Sequence, residues 1–275
     1  MFDLSNRKAL VIGGRGFLGR RFCTTLAEHG AQVFSADLPQ LSRAASTHEY
    51  EAKESGNEIL QFTIDVTDET SVKEVVKEVH KSAGSIDILF YCATAKPDDF
   101  YQPFTECSLQ GWQSVLRVEL DGLFVSTQEV GKVMEEQRSG SIIFLSSIYG
   151  IVGNDQRIYE GSNLNQVYLG DESSEPKRIF SHPVYAAAKG AVISVTRFLA
   201  TYWGNHNIRV NCISPGGLAH PGENEEFVRR YSQKVPLGRK AGVDEISGAA
   251  LFLASDASSY VTGHNLVVDG GWTAW

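Results

Sequence analysis

The chain has 275 residues, 42% of them hydrophobic and 21% charged, which allows one large α/β domain or two small ones and is ample for a buried core. Its 25 Lys and Arg against 33 Asp and Glu leave a net charge of −8, which disfavours a nucleic-acid backbone or an anionic membrane as partner and favours a small-molecule substrate. Cys23, Cys92, Cys107 and Cys212 stand singly, without a CxxC or a nearby His pair, so neither a disulfide framework nor a metal site is expected and a reducing cytoplasm fits.

Short β-branched runs alternate with longer amphipathic stretches along the whole chain. Strands are predicted over 9–13, 31–36, 59–64, 86–93, 140–147, 208–214 and 265–270. Between the third and fourth, Val72, Val75, Val76 and Val79 recur at helical spacing opposite Lys73, Glu74, Lys77 and Glu78, which predicts a crossover helix over 71–83. This order implies βαβ units around a parallel sheet covered on both faces. No linker or repeat divides residues 1–275, so one domain is expected. The N-terminus enters the first strand without a signal-peptide pattern, and no stretch approaches a membrane span, so a soluble, unprocessed cytoplasmic protein is expected.

The segment from about 153 to 183 breaks the rhythm. It is polar, shows neither helical nor strand period, and exceeds most connections in compact domains. It follows the carboxyl end of the fifth strand, the edge where open α/β sheets bind ligands, so it is expected to recognise substrate. Arg157, Tyr159, Glu160, Lys177 and Arg178 supply donors and acceptors suited to a polyhydroxylated or phosphorylated molecule.

The first strand runs into Gly13-Gly14-Arg15-Gly16-Phe17-Leu18-Gly19 and then a helical stretch. Glycines at these positions permit a tight turn and close approach of a pyrophosphate, which meets the positive end of the helix. In a strand–turn–helix setting, with Asp37 after the second strand, this predicts a dinucleotide site in a Rossmann fold with a doubly wound, seven-stranded parallel sheet. Asp37 can accept from both adenosine ribose hydroxyls and repels a 2′-phosphate, which favours NAD over NADP, while Arg15 argues the other way. Asp65, after the third strand, is expected to contact adenine, the other reading being a cap for the helix that begins near Asp68. Tyr185 and Lys189 lie four apart on a predicted helix, where the ammonium favours phenolate and equips the phenol as a general acid/base. Ser146 and Ser147 end the preceding strand at the ligand edge, and one of their hydroxyls can hold the substrate oxygen.

With the glycine turn and Asp37, the motifs IDVTD (64–68), LSSIYG (145–150), YAAAK (185–189), IRVNCISPGG (208–217) and LFLASDASSYVTGHNLVVDGG (251–271) resemble the short-chain dehydrogenase/reductase family over essentially the whole length. The resemblance implies that Tyr185 is the general acid/base, that Lys189 holds the nicotinamide ribose, and that Ser147 orients the carbonyl or alcohol. It further implies that Val66, Cys92, Ala93 and Thr94 line adenine and ribose, and that Pro215, Gly216, Gly217 and Leu218 border the nicotinamide. Glu119 stands where the family commonly carries a catalytic asparagine, leaving open a carboxylate in the proton relay or a weakened relay. The long segment before YAAAK is similar to members found with bacterial surface-sugar and flagellin-glycan biosynthesis.

The leading expectation is an NAD(P)-dependent oxidoreductase interconverting a secondary alcohol and a ketone on a sugar-like substrate. A sugar-nucleotide epimerase or dehydratase, suggested by GGRGFLG, and a nucleotide-sensing module without turnover, suggested by Glu119 and Thr94, are the competing readings. The resemblance implies a homotetramer or homodimer, and two tryptophans near the C-terminus, Trp272 and Trp275, offer aromatic surface for a partner to cover.

Overall fold

The computed structural model describes residues 1–39, 59–171 and 178–275. Seven parallel strands among the described residues form one sheet in the order β3-β2-β1-β4-β5-β6-β7. They are β1 (Lys8–Ile12), β2 (Gln32–Asp37), β3 (Ile59–Thr63), β4 (Ile88–Tyr91), β5 (Gly140–Leu145), β6 (Ile208–Pro215) and β7 (Asn265–Val268). All seven predicted strands are present, because each central run is apolar on both faces and needs a helix layer above and below.

The two layers have separate cores. Helices α2 (Glu69–Ala83), α4 (Gly122–Gln137) and α6 (Pro183–Trp203) cover one face around Phe34, Leu89, Phe144 and Val210. Helices α1 (Phe17–Glu28) and α8 (Val243–Ala254) cover the other around Phe22, Val33, Phe90 and Ile143. Helix α2 starts two residues before the predicted helix because Asp68 caps it, its carboxylate accepting from Thr70 N at 2.9 Å. Helix α3 (Leu109–Leu116) continues into α4 through one wide turn over Arg117–Asp121, in which Glu119 is buried.

The order reverses direction between β1 and β4, so a crevice opens beyond their carboxyl ends, the usual ligand site of such sheets. Chain leaving β1, β4, β5 and β6 converges there. The 153–183 segment departs from the prediction of an irregular loop: it holds a tight turn over Gln156–Tyr159 and a short helix α5 (Leu164–Leu169). Ile158, Tyr159, Leu164 and Ile179 are buried with Phe227 and Tyr231 of α7 (Glu225–Ser232), with Val235 and with Trp272. The excursion after β5 and the one after β6 therefore share a small core and form a cap over the carboxyl edge of the sheet.

Candidate active site

A cleft of about 330 Å³ lies between the sheet edge and the cap. At one end are Gly16, Phe17, Leu18 and Gly19 of the β1–α1 turn, facing Cys92 and Thr94 after β4. Gly13 has φ +82°, and a Cβ there would stand 2.6 Å from Ala93 N, so the turn can pass this close to the next strand only with glycine. Gly16 caps α1 without any side chain, leaving the first N–H groups of the helix free to face an anion. Asp37 Oδ2 accepts from Arg15 N at 2.9 Å and Oδ1 from Leu38 N at 2.8 Å, which fixes the carboxylate at the end of β2 with lone pairs to spare. The Arg15 guanidinium is turned to the carbonyls of Leu38 and Pro39, at 3.1 and 3.3 Å. These features fit a dinucleotide: an open backbone cradle at a helix N-terminus, with an acidic residue on the adjacent strand. Asp65 accepts from Thr67 N and Oγ1 at 2.9 and 2.7 Å in a tight local turn. Val66 is buried against Gly122. Neither lines the cleft, whose described walls include Leu145, Pro215, Gly216, Gly217 and Leu218.

The middle of the cleft brings together Ser147, Tyr185 and Lys189. His182 Nδ1 accepts from Val184 N and starts α6, and the phenol ring of Tyr185 stands edge-on to Phe100, which stacks on His182. The Ser147 turn can approach α6 only because residue 150 is glycine; a Cβ there would meet Lys189 C at 2.6 Å. The two adjacent serines differ in use. Ser146 donates to the Lys189 carbonyl at 2.8 Å, whereas Ser147 Oγ accepts from Tyr149 N at 3.2 Å and keeps its O–H for the cleft.

Lys189 Nζ donates to Leu145 O at 2.9 Å and lies 2.9 Å from Glu119 Oε2 and 5.5 Å from the centre of the Tyr185 ring. The contact with Oε2 is close enough for charge pairing but poorly aimed as a hydrogen bond, while Oε1 accepts from Thr94 Oγ1 at 2.5 Å. Burial opposes the ammonium, yet Glu119 and Tyr185 outweigh it, and the lysine pKa is raised above its ordinary value.

The inner end is walled by Tyr149, Tyr159, Tyr168, Phe227 and Tyr231, with a buried Lys240–Glu223 ion pair beneath. Of the predicted substrate residues that are described, the structure brings only Tyr159 into the cleft wall, where it hydrogen-bonds Tyr149 hydroxyl to hydroxyl at 2.9 Å. Arg157 is turned outward: its side chain is 78% exposed and grips Asp155 through two bonds of 2.8 and 2.7 Å. Glu160 faces Arg230 at 3.6 Å, and Arg178 is exposed over Phe180. These charges fasten the cap to itself. Lys177 lies outside the described residues.

Lys96, Tyr168, Glu223 and Lys240 line the cleft without having been predicted. Lys96 follows β4 at the ligand edge, a positional signal that was readable; Glu223 and Lys240 meet only through the folded cap.

A family model described as short chain dehydrogenase matches residues 7–162, and one described as Enoyl-(Acyl carrier protein) reductase matches residues 156–273. The chain is 33% identical to a D-threitol dehydrogenase of Mycolicibacterium smegmatis, covering 99% of this chain and 95% of that protein. It is 31% identical to a 2-dehydro-3-deoxy-D-gluconate 5-dehydrogenase of Pseudoalteromonas atlantica, covering 98% and 97%. A solved short chain dehydrogenase from Leptospira borgpetersenii with bound NAD+ superposes with a TM-score of 0.81 at 29% identity, over 98% of this chain and 94% of that one.

Proposed function

The chain belongs to the short-chain dehydrogenase/reductase family and is an alcohol–ketone oxidoreductase, and from that premise we propose that it uses NAD to oxidise a secondary alcohol of a sugar-like substrate, or to reduce the matching ketone. NAD, when bound, accepts or returns the hydride. The chain's own residues divide the remaining work. The glycine turn and the open N-terminus of α1 receive the pyrophosphate, and Asp37 receives the adenosine ribose, with Cys92, Ala93, Thr94 and Pro215 to Leu218 along the rest of the cofactor. The Arg15 guanidinium is occupied by two carbonyls, which supports NAD over NADP. Ser147 donates its O–H to the substrate oxygen, and Tyr185 takes or returns the proton of that oxygen. Lys189, held between Leu145 O and Glu119, keeps a positive charge behind the phenol.

The observation that carries this reading is the convergence of Ser147, Tyr185 and Lys189 on the cleft that also opens onto the glycine turn. The tyrosine-rich inner wall and the threitol and deoxygluconate relatives support a polyhydroxylated substrate. The isolated spacing of the cysteines, with no CxxC pair, supports a cytoplasmic setting, and the family, together with apolar faces on α4 and α6, supports a homodimer or homotetramer.

The test is NADH absorbance with a panel of polyols, sugar acids and sugar phosphates, run with NAD and with NADP. Tyr185→Phe removes only the transferable proton, so kcat should fall by about 10²–10⁴ or more while the affinity for NADH stays unchanged. A variant retaining more than about a tenth of wild-type kcat sinks Tyr185 as the proton carrier, because general acid–base catalysis contributes far more than that.

A further inference from the structure

Among the described residues, four side chains of the Lys, Arg, Asp and Glu type line the cleft: Lys96, Lys189, Glu223 and Lys240. Lys189 is paired with Glu119 and Lys240 with Glu223. Glu223 has no capacity left, since it also accepts from the Tyr168 hydroxyl at 3.2 Å and from His220 N at 3.3 Å. Lys96 has no acidic partner within ion-pair distance among the described residues, and its ammonium stands 3.9 Å from the centre of the Tyr168 ring. In a protein of net charge −8, the cleft thus carries one uncompensated positive charge among the described residues.

The position of that charge is informative. Lys96 follows Thr94, whose hydroxyl touches the Glu119 carboxylate behind Lys189, and it meets the cap at Tyr168 on α5. The lysine is therefore placed where the sheet edge meets the cap. We propose that Lys96 docks an anionic group of the substrate, so that the enzyme acts on a polyhydroxylated chain bearing a carboxylate or a phosphate ester; this rests on the oxidoreductase reading above.

The surroundings suit such a group. The Tyr168 face supports the cation while the cleft is open, and an arriving oxyanion supplies the charge-assisted hydrogen bond that the ring cannot. Lys96 keeps contact with solvent through the cleft mouth, yet the protein atoms crowded around its ammonium push its pKa down to about 8, against partial support from Glu119. An anion beside it would restore the charged form.

The competing use of this charge is the cofactor's own phosphates, because ring contacts run from Tyr168 through His220 at 5.1 Å to Phe17 of the glycine turn at 5.3 Å. Calorimetric titration of the NADH-saturated enzyme separates the two. The probes are aldonates of four to six carbons, pentose and hexose phosphates, and the matching alditols. At least one anionic class should bind about tenfold tighter than its alditol, the advantage of a hydrogen bond to a charged group, and the class that does so tells carboxylate from phosphate. Lys96→Met should erase the advantage and Lys96→Arg retain part of it, with NADH affinity within about twofold of wild type, since no cofactor contact is removed. Alditols that bind as tightly as both anionic classes, or an anion advantage that survives Lys96→Met, overturn the proposal. An equal loss of NADH affinity in Lys96→Met overturns it in favour of the cofactor phosphates. If the wild-type enzyme does not bind NADH at all, the cofactor reading falls first and takes this one with it.

Discussion

Glu119 and Lys189 hold opposite charges at 1% and 6% side-chain exposure. Removing such ions from water costs several kcal/mol each, so neither is tolerable without the other. The consequence for pH has a definite sign. The folded-state pKa of Lys189 is raised, Glu119 and Tyr185 together overcoming burial, so the contribution of the lysine's charge to stability is complete below the ordinary lysine pKa and is lost as pH rises through the folded value. Glu119→Gln keeps an acceptor for Thr94 and removes only the charge, taking away the largest influence that opposes burial at Lys189. Urea unfolding at neutral pH should then show a loss of about 3 kcal/mol, the lower end for a buried pair deprived of one partner. The alkaline limb of kcat/KM should move to lower pH, because Lys189 then loses its proton sooner. An alkaline limb left in place would mean that Lys189 does not depend on Glu119 for its charge.

The cap is held by polar contacts between two chain excursions. Asn163 Nδ2 donates to Gly222 O at 2.7 Å and its Oδ1 accepts from Asn224 N at 2.9 Å, while Asn224 Nδ2 donates to Gly161 O at 2.6 Å. Arg230 adds bonds to the carbonyls of Arg157 and Glu160, each at 3.0 Å. Asn163→Ala should therefore loosen both excursions together, at a local cost of about 1–3 kcal/mol for the groups left unpaired. Hydrogen exchange should rise over 155–170 and 220–234 while β4 to β6 stay protected, and KM should rise more than kcat falls. Faster exchange in one excursion alone would show that they do not move as a unit. This dependence also explains what the sequence concealed. The strands were legible because each is a continuous apolar run, and Tyr185 and Lys189 were legible through their spacing on a long helix. Helix α5 has only six residues, too few to display an amphipathic period, and its burial draws on Phe227, Tyr231 and Trp272, more than fifty positions away. Lys240 and Glu223 were hidden for the same reason, since neither carries a local pattern.

At the scale of the molecule, the predicted exposure of the C-terminal tryptophans needs dividing. Trp272 is buried, stacked on Tyr231 with ring centres 4.5 Å apart, so the chain covers it unaided; Trp275 is 78% exposed. Further uncovered apolar surface lies on helices α4 and α6. Phe124 on α4 is 63% exposed, and Phe198 and Tyr202 on α6, stacked on one another, are 66% and 59% exposed. Fully burying one such side chain contributes about 1.5–3 kcal/mol, and aromatics presented side by side by rigid helices lose little rotamer entropy on contact. A two-fold axis through this layer would bring each patch against its own copy, and two-fold dimers are the commonest soluble homo-oligomers. Light scattering at micromolar concentration should give the mass of a dimer or tetramer. Phe198→Glu places charge on this exposed surface, at a residue that does not line the cleft, and should yield a smaller species whose NADH affinity is preserved. A wild-type monomer would remove the outer layer as an interface, and a Phe198→Glu variant of unchanged mass would move the contact elsewhere, with Trp275 the next surface to test.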